Sequence, residues 1–375
     1  MNIYLYKNKK VESFYPLHFF KNLSDIRIGI LTNLKRYGIL YNSEPTYLIK
    51  LDDILGKGIY IDETFISHTK LSFKQNTILL KDGEIVGYYI LDGTPYNKIN
   101  TKSEIEGIKL EYAYSIIKHN LEIIKKDYIL LNKEYTHNTT DNLILYGEKR
   151  NLFICETVKI NGKIIFNTEN GPIYIDDNVI FKGFNYIEGP CYIGKDTIVD
   201  SVKIRPGCTF GRVNRISGEI EESIFMDYAN KHHIGFIGHS IIGNWVNLGA
   251  LTTNSDLKNN YHNVRLTIKE KTIDTGMLKM GCIIGDFSKT GIGTLINTGT
   301  ITGVSCNIFG SKSIEKFYPS FSWKNSTIMY DIEKAIDTIK ITMNRRDVTL
   351  DKDTENTLRE IIKKERNSNG NQKLS

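Results

Sequence analysis

Five cysteines are all that this 375-residue chain contains, and no two of them form a CxxC pair. An odd number without that spacing argues against a disulfide framework or a zinc site. Cys155, Cys191, Cys208, Cys282 and Cys306 therefore read as reduced, small core residues. Long apolar stretches are missing as well, since no run of about 18 such residues is there to span a membrane. The opening MNIYLYKNKKVESFYPL has neither the apolar segment nor the small-residue cleavage site of a secretory signal, which predicts a cytoplasmic protein without a membrane partner. Basic runs are absent too. The net charge of +6 is spread over 49 basic and 43 acidic residues with no basic stripe interleaved with aromatics, and no nucleic-acid partner is expected. What is present, 40% hydrophobic and 25% charged residues, is the balance of a folded globular protein. The length predicts two or three domains, or a solenoid that grows by adding coils.

A repeat is visible in the middle of the chain. Apolar residues recur every six positions at Ile175, Phe181, Ile187, Ile193 and Val199, in the segments IDDNVI, FKGFNY, IEGPCY, IGKDTI and VDSVKI. A period of six fits neither an amphipathic helix nor a hairpin. It fits a triangular solenoid in which each side is one short strand ending in a turn, with the apolar position pointing inward. Asn178, Gly183, Asn185, Gly189 and Gly194 are the expected corner residues, because glycine and asparagine tolerate turn and left-handed backbone angles. The pattern slips near IRPGCTFGRVNRISGEI, resumes at Ile242 and Leu248, and returns at Ile284, Thr290, Ile296, Thr302 and Ile308. These features predict a left-handed parallel β-helix of hexapeptide repeats. The polar stretch DLKNNYHNVRLTIKEKTIDTG interrupts it as a loop or hairpin thrown out at one corner.

The flanks read differently. Residues 1–150 mix strand-like NIYLY, TILL and EIVGYYIL with helical spacing at Ala113, Ile117, Leu121, Ile124 and Tyr128, which predicts a separate α/β domain. The β-helix is expected over 151–312. In 313–375, Ile332, Ala335, Ile336, Ile339 and Met343 share one helical face, a second helix follows from about Asp353 to Lys364, and the closing RNSNGNQKLS is expected to fray.

Two adjacent histidines, His232 and His233, stand in KHHIGFIGHSIIGNWVNLGA between well-formed repeats. An imidazole titrating near neutrality can take a proton from an amine or hydroxyl nucleophile. Glu219, in SGEIEES, lies about one coil upstream, where a carboxylate could fix the imidazole tautomer. The competing reading is that both are solvent-exposed corner residues of a solenoid. His233, His239 and His262 are poorly spaced for three ligands on one metal, and no metal site is expected in this region.

In this order and spacing, IRPG, GEIEES and KHHIGFIGHSIIGNWVNLGA resemble the acetyltransferase half of the bifunctional glucosamine-1-phosphate acetyltransferase / N-acetylglucosamine-1-phosphate uridylyltransferase family (GlmU-like). The resemblance to a divergent subgroup runs from SDIRIGILT through SDLKNNYH, GDFSKTGIGTLINTGTITGVSCNIFG and YPSFSW to the final helices. It implies a homotrimer with an acetyl-CoA site between neighbouring solenoids and a role in cell-envelope biosynthesis. His233 would deprotonate the 2-amino group of the sugar and Glu219 would orient it. Arg205 would contact the sugar phosphate, Asn247 would help hold the sugar, and Ala250 would meet the cofactor through its backbone. The acceptor implied is an amino-sugar phosphate or a nucleotide-linked amino sugar.

The chain departs from the family pattern at three positions. Glu221 replaces a phosphate-gripping lysine, Phe236 a tyrosine and Asp256 an asparagine. Lys231 or Arg212 could supply the missing positive charge, with Asp256 still lining the acceptor site. Residues 1–150 resemble a sugar nucleotidyltransferase domain without its Gly-rich phosphate loop or a recognisable magnesium aspartate; Mg2+ belongs only if that domain is active. Asp25, Arg27 and Asp92 are the polar residues left as candidates there, Asp92 equally as a turn former. The alternative to a transferase is a non-catalytic or regulatory assembly protein that retains both folds.

Overall fold

The computed structural model describes residues 1–50, 53, 54, 56–133, 141–268, 271–310, 314–368, 373 and 374. It divides into two compact units, Met1–Asn132 and Lys133–Ser375; the expected boundary at 312 lies outside the described residues.

The first unit is built on a six-stranded sheet in the order Thr46–Leu48, Ile3–Tyr6, Gly58–Asp62, Glu84–Ile90, Thr77–Lys81, Lys102–Glu104. Ile3–Tyr6 runs parallel to its neighbours on both sides, while Glu84–Ile90 is antiparallel to both of its own. The sequence IYLY sends Ile3 and Leu5 to a core with Ile59, Ile61, Leu79 and Val86, and Tyr4 and Tyr6 to a second one with Tyr60 and Tyr88. Apolar groups are buried on both faces, so the strand reads as a continuous hydrophobic run.

Helix α1, Asn33–Tyr41, starts at Thr32, whose hydroxyl accepts from the Lys35 N–H. Helix α2, Ala113–Leu131, buries Ala113, Ile116, Ile117, Ile123 and Ile124, but its buried stripe also holds Asn120 and Asp127. Asp127 accepts from Arg36 Nε at 2.7 Å, Arg36 Nη2 at 2.9 Å, and the Ile30 and Leu31 N–H groups at 2.9 and 3.0 Å; His68 Nε2 lies 2.8 Å away. Neither Arg36 nor Asp127 has any exposed side-chain surface. Burial alone would push the Asp127 carboxyl up, but Arg36 and His68 outweigh it and hold it below the usual range. Asn120 accepts from the Gly29 N–H at 2.8 Å, and Gly29 has φ 73° with no room for a Cβ against Ile123 and Asp127. Through these contacts α2 clamps the segment SDIRIGILT. Asp92 makes a turn, accepting from the N–H and hydroxyl of Thr94 and from Asn76.

The second unit carries a left-handed parallel β-helix of about 10 turns. On one face, strands from Leu152–Ile154 to Phe317–Tyr318 stack in chain order, all parallel. Ile175 lies on Ile193, 18 residues on, or three hexapeptides. The step then shortens to 17 at Phe210 and 15 at Phe225, which is why the six-residue pattern slips there. Ile154, Ile175, Ile193, Phe210, Phe225, Ile242 and Ile284 fill the prism as one inner ladder. Cys191, Cys208, Cys282 and Cys306 are buried free thiols, and burial raises Cys282 and Cys306 to about 12.

The corners are less conventional than glycine and asparagine alone would make them. Asn178, Asp196, Val213, Tyr228, Trp245, Phe287, Ser305 and Phe321 form one column with φ between 54° and 64°. Each bulky residue held there costs about 1–2 kcal/mol. Stacking offsets some of that cost, since the Tyr228 and Trp245 rings lie 4.0 Å apart and Arg212 covers Tyr228. Gly189 and Gly194 serve close approach between coils instead, a Cβ on either falling within 3 Å of the neighbouring coil's backbone.

The polar excursion is a hairpin, Arg265–Ile268 against Lys271–Asp274. Its exit and re-entry are pinned by a bridge from Leu257 to Lys279, and Ile242 stacks on Ile284 as though the hairpin were absent. After the last coil, helix α3, Ile332–Asn344, is capped by Asp331 and buries Ala335, Ile336, Ile339 and Met343. Helix α4, Lys352–Ser368, joins it through Arg359, which bridges Glu333 and Glu355. The segment expected to fray lies partly outside the described residues, but Lys373–Leu374 pairs with Asn325–Met329.

Asp127→Asn is expected to destabilise the first unit by about 3–5 kcal/mol, because it leaves the Arg36 charge buried without a counter-ion. Urea denaturation with hydrogen exchange of the α2 amides measures this.

Candidate functional site

The coil spacing brings the sequence-predicted residues to one region of the β-helix. Asn230 pairs with Asn247, and the Leu251 N–H donates to the Ile234 carbonyl. Between those two rungs, His233 falls over Ala250. Two coil neighbours follow on the adjoining face, where Lys203, Glu219 and Phe236 form one rung and Ile204, Ile220 and Ile237 the next. The apolar rung points inward and the polar one outward, as alternation on a half-buried strand requires.

His233 is exposed, with its ring edge-on to His232 at 5.6 Å. Its imidazole makes no hydrogen bond among the described residues. Ala250 is half-buried, and its carbonyl accepts from the Gly293 N–H at 2.8 Å. Its own N–H has no hydrogen-bond partner among the described residues. Asn247 accepts from Asn230 Nδ2 at 2.5 Å on the outer surface.

Glu219 is not bonded to His233. Its carboxylate lies 3.1 Å from Lys203 Nζ and 3.9 Å from Arg205 Nη1. Arg205 Nη1 is 3.5 Å from Glu221, and Lys279 Nζ reaches the other Glu221 oxygen at 3.7 Å.

One expected role changes, and one residue is found bonded within the fold. Lys231, predicted to meet a substrate phosphate, pairs with Ile216 in the register and points into the prism with no exposed surface. Its ammonium donates to the His233 carbonyl, and burial lowers its pKa to about 8. An amine sealed in the core cannot reach an external phosphate, but it does hold the corner that carries His233. Asp256, predicted to line the acceptor site, has its carboxylate on His239 Nδ1 at 2.8 Å.

His239 is the residue that sequence reading set aside. Its Nε2 lies 3.5 Å from Glu222, and its side chain is 5% exposed. Burial alone would lower its pKa; the hydrogen bonds it donates to Asp256 and Glu222 and their charges outweigh this and raise it to about 9. Glu222, His239 and Asp256 are spaced by 17 residues each, one coil apart. That spacing was the available signal. Glu222 and His239 both sit in left-handed backbone, φ 39° and 47°.

The first-unit candidates are engaged locally. Arg27 Nη1 donates to the Ile30 carbonyl, and burial raises the Asp25 carboxyl. Among the described residues no group of three or more His, Cys, Asp or Glu is placed to hold a metal ion, and no helix is long and apolar enough to cross a membrane.

Two stability profiles of opposite sign are expected. The folded pKa of His239 is about 9 against an ordinary 6.5, so its contribution is complete below pH 6.5 and lost as pH rises through 9. Compared with His239→Gln, the wild type should lead by on the order of 2–3 kcal/mol at pH 6 and converge near pH 10. The folded pKa of Lys231 is about 8 against 10.5, so the folded state binds fewer protons than the unfolded between those values and stability rises with pH across them. Lys231→Met should remove that rise. Chemical denaturation at fixed ionic strength from pH 6 to 10.5 reads both.

No family model matches the chain. A bifunctional sugar-1-phosphate nucleotidylyltransferase/acetyltransferase of Sulfurisphaera tokodaii is 27% identical over 76% of this chain and 84% of its own length. Proteins named bifunctional protein GlmU match shorter stretches: that of Methanocaldococcus jannaschii is 32% identical and that of Methanococcus aeolicus 35%, each over 30% of this chain and 28% of the relative. The length of the first match, with the α/β unit ahead of the hexapeptide coils, makes this chain a relative of the GlmU-like bifunctional sugar-1-phosphate nucleotidyltransferase/acetyltransferases.

Proposed function

We propose that this chain is an acetyl-CoA-dependent N-acetyltransferase acting on an amino-sugar phosphate or a nucleotide-linked amino sugar, joined to a sugar-1-phosphate nucleotidyltransferase-like unit. The observation that carries the reading is the pairing, on consecutive coils, of an exposed imidazole at His233 with an unengaged backbone donor at Ala250. His233 takes a proton from the acceptor's ammonium or amine, and the nitrogen attacks the thioester carbonyl. The C–N bond forms as the C–S bond breaks, and the released thiolate picks up a proton. The Ala250 N–H is a donor for the acetyl donor or for the developing oxyanion. Asn247 and Arg205 enter this reading as contacts for the sugar through the family resemblance. Glu219 reaches His233 only by leaving Lys203, a rotation that an acceptor lodged between them would favour. Lys231 serves from inside the prism by fixing the His233 carbonyl.

The homotrimer, the sharing of acetyl-CoA between neighbouring solenoids and the cytoplasmic location belong to this reading through the family resemblance. Magnesium would matter only to nucleotidyl transfer in the first unit, where the described carboxylates do not fit a metal site. Asp62 and Glu63, at the end of a parallel strand, are spent on Asn8, Thr64 and the Leu23 and Ser24 amides. One observation favours the alternative of a non-catalytic assembly protein, namely that Glu219 is paired with Lys203 and not with His233.

His233→Ala is expected to lower acetyl-CoA-dependent thiol release by about 10²–10⁴-fold with an unchanged melting temperature, while His232→Ala keeps activity. Equal turnover in wild type and His233→Ala would remove this base from the reaction, and no release with any amino sugar would favour the assembly reading.

A further inference from the structure

The charges around the acceptor corner cancel. Four cationic side chains, Lys203, Arg205, His239 and Lys279, face four carboxylates, Glu219, Glu221, Glu222 and Asp256, in two sets of contacts between 2.8 and 3.9 Å, Lys203–Glu219–Arg205–Glu221–Lys279 and Glu222–His239–Asp256. Glu221 joins Arg205 to Lys279 in the first. Its side chain is 12% exposed, while those of Arg205 and Lys279, on either side of it, are 43% and 42% exposed. These two exposed cations are thus bridged by a carboxylate that solvent hardly screens, and the third, Lys203, 55% exposed, is paired with Glu219. Like charges in a partly buried site repel strongly, and opposite charges already paired gain little from a further anion.

Beyond Lys279 the surface changes character. Its bridge partner Leu257 lines a cavity of about 320 Å³ together with Ser255, Asn259, Asn260, Asn297 and Thr298. Lys258 also lines it, with its ammonium donated to the Asn263 carbonyl at 3.1 Å. Amides and hydroxyls of this kind suit the hydroxyl groups of a sugar, each a donor and an acceptor at once.

We propose that Glu221 is a specificity residue which excludes a phosphomonoester from this corner, so that the acceptor is an amino sugar presenting hydroxyls and no terminal phosphate there. The proposal rests on the transferase reading and names its acceptor class. An arriving phosphomonoester would have to break the Arg205–Glu221 and Lys279–Glu221 pairs or lie against the Glu221 carboxylate. A sugar hydroxyl can instead donate to Glu221 and leave both pairs in place. The amino sugar could be free or linked to a nucleoside diphosphate whose phosphates lie elsewhere, and the two sources are separated by assay.

The test measures thiol release from acetyl-CoA by the full chain, as wild type, Glu221→Gln and Glu221→Lys. The acceptors are a free 2-amino hexose, its 1-phosphate and its nucleoside-diphosphate conjugate. For the wild type, kcat/KM should favour the free or the conjugated sugar over the 1-phosphate by at least about tenfold, or about 1.4 kcal/mol. Glu221→Lys should raise kcat/KM for the 1-phosphate by at least about tenfold, mainly through KM, since it changes binding and not the base. A wild type that prefers the 1-phosphate, or a Glu221→Lys that leaves the ranking unaltered, overturns the proposal. Calorimetric titration of the same sugars without acetyl-CoA keeps the two readings apart. If no acceptor releases thiol, the transferase reading fails, and the proposal still stands or falls on whether Glu221→Lys gains affinity for the 1-phosphate over the free sugar.

Discussion

Everything in the second unit follows from the need of each coil to hydrogen-bond to the coil before it. A strand in a parallel stack has no say in its own register, because its N–H and C=O groups must meet those already set by its neighbour. The chain satisfies this over steps of 15 to 21 residues, the 42-residue step across the hairpin aside, by keeping the stacked faces and letting the corners absorb the difference. Left-handed backbone at Val213, Tyr228, Trp245 and Phe321 is the result. The strain is tolerated because backbone bonds on both sides over-determine each corner.

The same stacking builds the functional surface. A residue one coil away in space is mostly 15 to 21 positions away in sequence, so side chains that look unrelated along the chain become neighbours on one face. Lys203 with Glu219, and Glu222 with His239 and Asp256, are ladders of this kind. His233 and Ala250, on consecutive coils, come together in the same way without any special loop.

How much of this could be read from the sequence depended on which side of the strand a residue faces. The apolar inner ladder from Ile175 to Val199 was legible because its coil step equals three hexapeptides, and the terminal helices because Ala335, Ile336, Ile339 and Met343 repeat at helical spacing. Lys231 was misjudged because a charged residue is assumed to face water, and only the register with Ile216 shows that it does not. Asp127 was missed for a related reason. An apolar count along α2 has no place for a buried carboxylate whose partner, Arg36, lies 91 residues earlier. His239 was discarded as a poor metal ligand when its partners were carboxylates at coil spacing.

The hairpin at Arg265–Asp274 has a consequence for how such a chain can change over time. Ile242 stacks on Ile284 across it, and the Leu257–Lys279 bridge closes its neck. Lengthening or shortening its tip therefore leaves the rungs of the solenoid in register, whereas one residue added within a coil would shift each face above it. Variation is channelled into an excursion whose entry, at Asn259 and Asn260, lines the hydroxyl-lined cavity, so a lineage can revise that surface without reopening the question of how it folds.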